Sequence, residues 1–501
     1  MNVRPGLRTI SLVVLIATAE GFVVAAAMNR WGAVSVLLLI IGVSACCSLP
    51  QSLAQAAEKL WALKQQWRWW HGCWLVLFLS GLVFRTRDVA NIRDSPIDLW
   101  ATYRIVLVGV VALVLIARLV DGKTWWLRSL WTFPICAISL YTVFSVASAL
   151  WSVYPAWTLY KSLELFVDFM LVSAIVTEVR WSAPLFKSLF DWTAVMCIAC
   201  IASVWLGVLF WPEKAVFREV GTLGVQIEGV FPAISPNGVG DIGAIIAIIC
   251  CNRLLTRRPG VTKALYGVLL AVSLITLAVS QARSPIIGFV TAAMFVFLLT
   301  KHIGTIGFFS VVTVLLASLT KAGDILWEYI RRGQTPEAFH SLSGRVDWWS
   351  FGWQKILESP VIGHGSYAGA RFLALSELGE TSTSSIHNTY VEILLGTGFL
   401  GLILFLAGLA GIWFVIVRAL TGLALSSTEQ LLTVEATALL AYGIIRSFFT
   451  SALIWHPDLP FLQVLGFSLF LRSRFNAMNC RPVVHTATLP RRPRPHAVAI
   501  R

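Results

Sequence analysis

The sequence predicts an all-α polytopic membrane protein with about fourteen transmembrane helices and one long outward loop bearing short amphipathic helices. Three observations predict it. Of 501 residues, 57% are hydrophobic and only 13% are charged, where a soluble domain carries roughly a quarter, and the mean hydropathy is +0.78. Apolar runs near the length that crosses ~30 Å of hydrocarbon follow one another, as around 105–117, 286–299 and 399–417. They lack the alternation of barrel strands, so their backbone groups must be paired within helices. Lys and Arg sort to one side of the alternating spans, which marks the cytoplasmic face.

Taken in order, spans are expected near 7–28, 31–50, 72–84, 100–118, 131–151, 160–178 and 189–211, then 236–252, 264–281, 285–300, 303–320, 387–417, 431–455 and 459–471. The first reads as a span and not a removed signal, because no small-residue cleavage site follows it. With the N-terminus in the cytoplasm, the inner side receives Arg4, Arg8, Lys59, Lys64, Arg68, Arg118, Lys123 and Arg128. Arg253, Arg257, Arg258 and Lys263 join them, and both termini lie inside. Residues 1–471 form the membrane domain, with 321–386 as its large outward loop. Residues 472–501 form a basic inner tail, where Arg491, Arg492 and Arg494 alternate with prolines, a composition that reads as disordered. The net charge of +14 is explained by loops and tail meeting anionic headgroups, so membrane lipids are partners and nucleic acid is not. Eight cysteines fall in spans and Cys480 in the tail. Cys197 and Cys200 share a helix face, which reads as packing, and no metal or disulfide is called for.

The residues with chemistry collect in the outward segments 85–99, 152–159, 212–235, the turn at Arg283, 321–386 and 456–458. In the long loop, Ser343 is placed to cap a helix whose apolar positions Val346, Trp349, Trp353, Ile356 and Leu357 recur at helical spacing. Ser359-Pro360 ends it and Gly363-His364-Gly365 makes a turn. Arg345, Trp348 and Lys355 occupy its other face. By amphipathicity alone this is an interfacial helix on the outer membrane surface.

His387-Asn388-Thr389-Tyr390-Val391-Glu392 runs straight into the next span. A histidine at a helix start meets the positive end of the dipole, which favours the neutral imidazole that a general base needs. The plain alternative is an interfacial histidine making one hydrogen bond. Asn388 and Glu392 lie one turn apart, and a carboxylate in a span is costly unless paired or facing a polar cavity. Arg283 sits in the tight turn Ser280-Gln281-Ala282-Arg283-Ser284-Pro285. Arg218 sits in the loop leading to Gly229-Val230-Phe231-Pro232 and Ser235-Pro236-Asn237-Gly238. Arginine suits bidentate phosphate contacts at a partly dry site; the alternative for each is an ordinary loop arginine.

Leu342-Ser343-Gly344-Arg345, Trp349, Ser359-Pro360-Val361-Ile362-Gly363-His364-Gly365, His387-Asn388-Thr389-Tyr390 and Gly396-Thr397-Gly398-Phe399-Leu400-Gly401-Leu402 recur in the order (S/T)GR…W…SPxxGxG…HNxY…GxxGL. That core, over roughly residues 340–405, resembles the O-antigen ligase/polymerase superfamily of bacterial inner-membrane glycosyltransferases. Leu150-Trp151-Ser152 with Tyr154-Pro155, Gly229 to Asn237, and Gln281-Ala282-Arg283 echo it more faintly; before the arginine the family often shows a serine. The resemblance implies a glycan carried on undecaprenyl pyrophosphate, presented at the periplasmic face, and a lipid or glycan acceptor whose hydroxyl attacks its first sugar carbon. Under that reading His387 takes the acceptor proton, while Arg283 and Arg218 stabilise the leaving pyrophosphate. Arg345, Asn388, Trp348, Tyr390 and Asn237 complete the candidate set as substrate-binding residues. Asp94 and Asp98 are spaced too widely for an Asp-x-Asp metal motif, so a metal-independent, cofactor-free, inverting reaction is expected.

Two other classes compete. Glu20, Asp168, Asp241, Glu435 and Arg446 within spans, with Lys161, Glu164 and Asp168 on one helix face, also suit the ion pathway of a secondary transporter. No internal repeat relates two halves, however, and the polar residues gather at the outer rim. A non-catalytic scaffold for polysaccharide export leaves the Arg/His set without a purpose.

Overall fold

The computed structural model describes residues 57–479, apart from 59, 83–86, 122–126, 181, 219–222, 257–260, 333, 343 and most of 306–321. Its principal helices are α1 (Trp69–Leu82), α2 (Val89–Asp94), α3 (Leu99–Val120), α4 (Ile135–Ala147), α5 (Pro155–Val179), α6 (Ala183–Phe210), α7 (Pro236–Thr256) and α8 (Val261–Val279). They continue as α9 (Arg283–Leu299), α10 (Ala322–Arg331), α11 (Pro336–His340), α12 (Arg345–Glu358), α13 (Thr389–Gly422), α14 (Ser427–Arg446) and α15 (Leu459–Asn479). Between α6 and α7 lie two antiparallel pairs, β1 (Val216–Arg218) with β2 (Val225–Ile227) and β3 (Gly229–Val230) with β4 (Ala233–Ile234).

Helices α3, α6, α7 and α13 are long and apolar enough to cross a membrane, and α1, α8, α9 and the helical stretch from Ile135 to Leu150 are shorter apolar ones. At ~1.5 Å per residue, the 21 residues of α7 rise about the thickness of the hydrocarbon layer. Eleven of the expected spans each overlap one helix. The other three, 7–28, 31–50 and most of 303–320, lie outside the described residues, as do residues 480–501 of the expected tail. The last helix continues to Asn479, past the expected end of its span at 471.

Many charged side chains inside the helices are paired across the bundle. Arg104 of α3 donates to both oxygens of Glu164 on α5 (2.6 and 2.9 Å), and Lys161 reaches the same carboxylate at 2.9 Å. His456 holds Asp168 at 2.7 Å. Arg253 of α7 joins Glu435 of α14 and Asp191 of α6, each at 2.8 Å. Arg446 of α14 grips both oxygens of Asp241 on α7 at 2.6 Å. Removing one partner of such a pair strands a buried charge, so these contacts staple distant helices together. The charges weighed above as an ion pathway are spent in this way, except Glu20, which lies outside the described residues.

Contacts also show that the segments expected to face outward share one end of the bundle. Val153 N donates to His364 O (3.0 Å), Val89 N to Thr381 O (3.0 Å), Gln226 Nε2 to Ser280 O (2.8 Å) and Arg345 Nη1 to Phe449 O (2.9 Å). At the opposite end Arg474 pairs with Glu429 at 3.3 Å and Arg118 lies over the Trp69 ring.

Three local expectations need correction. The span expected at 431–455 ends at Arg446, and residues 447–458 form a loop on the site side. That loop is apolar enough to look like helix, yet its carbonyls are used by neighbours: Ser447 O accepts from Thr389 N (2.8 Å), and Ala452 O from Thr389 Oγ1 (2.7 Å). Buried, paired backbone of this kind is tolerated without helix. The span at 387–417 begins at Thr389 and is broken at Gly398 (φ 64°). Helix α12 starts after Gly344 (φ 84°), and Ser343, the expected cap, lies outside the described residues. Finally, its expected apolar face divides. Ile356 is buried and Trp348 and Trp349 pack on the Ile386–Leu395 cluster, whereas Val346, Trp353 and Leu357 are exposed.

The break in α13 gives the glycine-rich motifs a structural meaning. Residues 360–365 run alongside it and bond its loosened backbone: Phe399 N donates to Pro360 O (2.8 Å), His364 N to Leu395 O (2.8 Å) and Gly365 N to Gly396 O (2.9 Å). A Cβ on Gly398 would stand 2.3 Å from Val361 C, and one on Gly363 2.5 Å from Gly396 C. Both residues also have positive φ, where only glycine is at ease. The outcome is a short first half of α13 whose N-terminus is held rigidly against α12 and the 447–458 loop.

Candidate active site

His387 stands at that N-terminus, between two anchored residues. Ile386 is fully buried; its O accepts from Trp349 Nε1 at 2.9 Å and its N donates to Glu392 at 3.3 Å. Asn388 caps α13, its Oδ1 accepting from Tyr390 N (3.0 Å) and Val391 N (3.1 Å), and its Nδ2 donates to Phe448 O (3.3 Å). His387 takes φ 54° between them, a conformation that costs a non-glycine residue of order 1–3 kcal/mol and that persists where the surroundings over-determine it. The indole of Trp348 stacks on its ring, 5.9 Å between centroids and 25° between planes. Burial, reinforced by the charges of Arg345 and Arg446, lowers the imidazole to about 4. The direction is the one expected for this position, with burial and the two arginines as causes. His387 also lines a cavity of about 470 Å³, polar where Ser385, Ser451, Asp241 and Arg446 meet it and apolar where Ile242, Ile245, Leu439 and Phe461 close it.

Arg345 and Arg446 lie close enough to act on this histidine, and Arg283 in turn acts on Arg345. Arg345 opens α12, and burial together with the repulsion of Arg446 and Arg283 pushes its guanidinium down to about 10. It donates to Phe449 O, a neutral acceptor. Arg283 opens α9; its Nη2 donates to Gln334 Oε1 at 2.6 Å, and its guanidinium lies 5.5 Å from the centre of the Phe339 ring. Arg446 is the member with a carboxylate, Asp241, and it also donates to Ser284 Oγ at 2.7 Å. Tyr442 Oη donates to the same aspartate. The structure thus brings His387, Arg345, Trp348 and Arg283 into one electrostatic neighbourhood.

The remaining expected residues fall otherwise. Arg218 is exposed at the end of β1, opposite Val225, whose carbonyl accepts from Gln281 Nε2 at 2.6 Å. It is therefore one strand, about 4.8 Å, removed from the segment anchored beside the Arg283 turn. Asn237 is exposed in the first turn of α7, next to the cavity-lining Gly238. Asn388 is a cap, and Tyr390 packs on Phe448 with ring centroids 4.8 Å apart; both position the histidine segment. Sequence reasoning missed the Asp241–Arg446–Ser284 contact and Arg332. Arg446 and Asp241 were legible as charges in spans, but nothing in the sequence joins residues 205 apart. Of the acidic pair weighed for metal, Asp98 caps α3, accepting from Ala101 N at 2.7 Å, and lies 3.5 Å from Arg87; Asp94 is exposed.

Residues 268–406 match the family model described as O-antigen ligase. The match takes in Arg283, Arg345, Trp348, His387, Asn388 and Tyr390, and leaves Arg218, Asn237 and Arg446 outside it. No curated protein matches the chain. Residues 268–406, with His387, Arg345 and Arg283 among them, are thus similar to an O-antigen ligase domain, which supports a place in the O-antigen ligase/polymerase superfamily.

Proposed function

We propose that the protein is a glycosyltransferase of the bacterial inner membrane. It moves or polymerises a glycan from an undecaprenyl-pyrophosphate donor onto a hydroxyl of a lipid or glycan acceptor at the periplasmic face. The observation that carries this is a neutral, rigidly held histidine on a cavity wall, with the half-buried Arg345 beside it and Arg283 near Arg345, both held by neutral groups. Among the described residues no carboxylate pairs with either, and partly dry cations of that kind suit an anion brought by substrate.

In the reaction, the acceptor oxygen attacks the first sugar carbon as its proton passes to a ring nitrogen of His387. The carbon–oxygen bond to the pyrophosphate breaks, and the electron pair leaves with the phosphate oxygen. Arg283 and Arg345 stabilise that charge, with Arg218 at the hairpin rim contributing to the donor's outer part. Asn237 and Trp348 border the sugar. One displacement, with no nucleophile from the protein, inverts the anomeric centre. Arginines take the part that a divalent metal plays elsewhere, so the reaction is metal-independent. The Lys/Arg-rich end of the bundle and both termini face the cytoplasm; an impermeant thiol reagent that fails to reach a cysteine placed at Glu358 in intact cells contradicts this orientation.

The pH profile tests His387 directly. Its acidic form is the inactive one, so kcat/KM, which reports the free protein, stays level down to about pH 5 and falls through about 4. The kcat limb lies higher, because bound pyrophosphate offsets the arginines that oppose protonation. A kcat/KM limb at the free-histidine value near 6.5, or coincident limbs, counts against the assignment.

A further inference from the structure

A fourth arginine lies beside Arg283. Helices α10 and α11 fold over the Arg283 turn: Tyr329 Oη donates to Ala278 O at 2.8 Å, and the Trp327 and Phe339 rings meet edge to face at 5.6 Å. The turn between them supplies Gln334, the acceptor for Arg283 Nη2. Arg332 is two residues away, held at φ 56° where its N donates to Glu328 O at 2.8 Å. It is half-buried, and it lies close enough to Arg283 for the two charges to repel. The nearby Glu328 pairs instead with Arg331 at 3.7 Å, and among the described residues no carboxylate pairs with Arg332. A fold that brings two guanidiniums together without an acid between them lacks the partner that would balance them.

We propose that Arg332 contacts the donor's diphosphate jointly with Arg283, each guanidinium taking oxygens of one leaving group. This rests on the reading of the site given above. It makes α10 and α11 part of the donor site, so the anion that bridges Arg283 and Arg332 also ties the long loop to the bundle.

Full-length protein in lipid nanodiscs, titrated with inorganic pyrophosphate by calorimetry, provides the test. Arg332→Ala is expected to weaken binding about tenfold or more, as loss of a charge-assisted contact does, and Arg332→Lys to recover part of it. Arg331→Ala should stay within about twofold of wild type. Melting curves establish that each variant is folded, and Arg332→Gln replaces Arg332→Ala if the latter is not. Undiminished binding by Arg332→Ala, alongside weakened binding by Arg283→Ala, removes Arg332 and leaves the glycosyltransferase reading standing. If wild type does not bind pyrophosphate, or Arg283→Ala binds it equally well, the underlying anion site falls, and this proposal with it.

Discussion

His387→Ala is expected to lower glycan transfer about 10²–10⁴-fold, the range for loss of a positioned general base, while donor binding persists. The side chain has little else to lose. Among the described residues its ring makes no hydrogen bond, and Trp348 stacks on it without needing its proton. Its backbone, at φ 54°, is the one complication, since alanine is uncomfortable there. His387→Asn separates the two effects, because asparagine tolerates the left-handed region but is no base. Both variants should be folded at wild-type levels and inactive in a cellular polysaccharide-assembly assay with membrane levels checked by blot. An interfacial histidine without chemistry would tolerate both, and wild-type product from either, at normal abundance, removes His387 from the mechanism.

Arg283→Ala should cost about 10²–10³-fold in kcat, as removal of one donor to a developing anion does elsewhere. Gln334 fixes the guanidinium from one side and the Phe339 ring lies against it, so the fork is oriented before substrate arrives. Lysine keeps the charge but loses the planar pair of donors and the stacking, and Arg283→Lys should therefore recover little. Transfer near the wild-type rate with lysine would mean that only a point charge is needed. Wild-type activity with alanine would return Arg283 to the role of an ordinary turn residue.

The helical, apolar character of the chain was legible because it rests on local properties: apolar length and breakers. Ser359 ends α12 where Ser359-Pro360 was read as a stop, and Gly363 and Gly365 both turn with positive φ. Several of the candidate residues stood out in the sequence too, since His387, Arg283 and Arg345 are unusual at their positions, and Arg345 lies near both of the others. What escaped depends on distance in sequence. Asp241 and Arg446 meet across α7 and α14, and each looked like an ion-pathway charge until paired. The 447–455 stretch looked like membrane span because its composition is apolar, whereas its backbone is satisfied by Thr389, Asn388 and Arg345 from elsewhere. The split face of α12 was invisible for the same reason. Spacing showed that it had apolar positions, but the Ile386–Leu395 cluster decided which ones were buried. Asn388 shows the reverse case: its spacing to Glu392 suggested a shared polar cavity, and it turned out to be the cap that aims its neighbour.

In the proposed mechanism, arginines and a histidine alone discharge a lipid-pyrophosphate glycan onto an acceptor hydroxyl. The most direct measurement uses purified full-length protein in liposomes with undecaprenyl-pyrophosphate-linked glycan, acceptor and excess chelator, following both products. The proposed chemistry gives an inverted glycosidic linkage and one lipid pyrophosphate released per glycan transferred, at a rate unchanged by chelator and lowered about 10²–10⁴-fold in His387→Ala. Transfer that stops with chelator and returns with magnesium, or product with retained anomeric configuration, would contradict it.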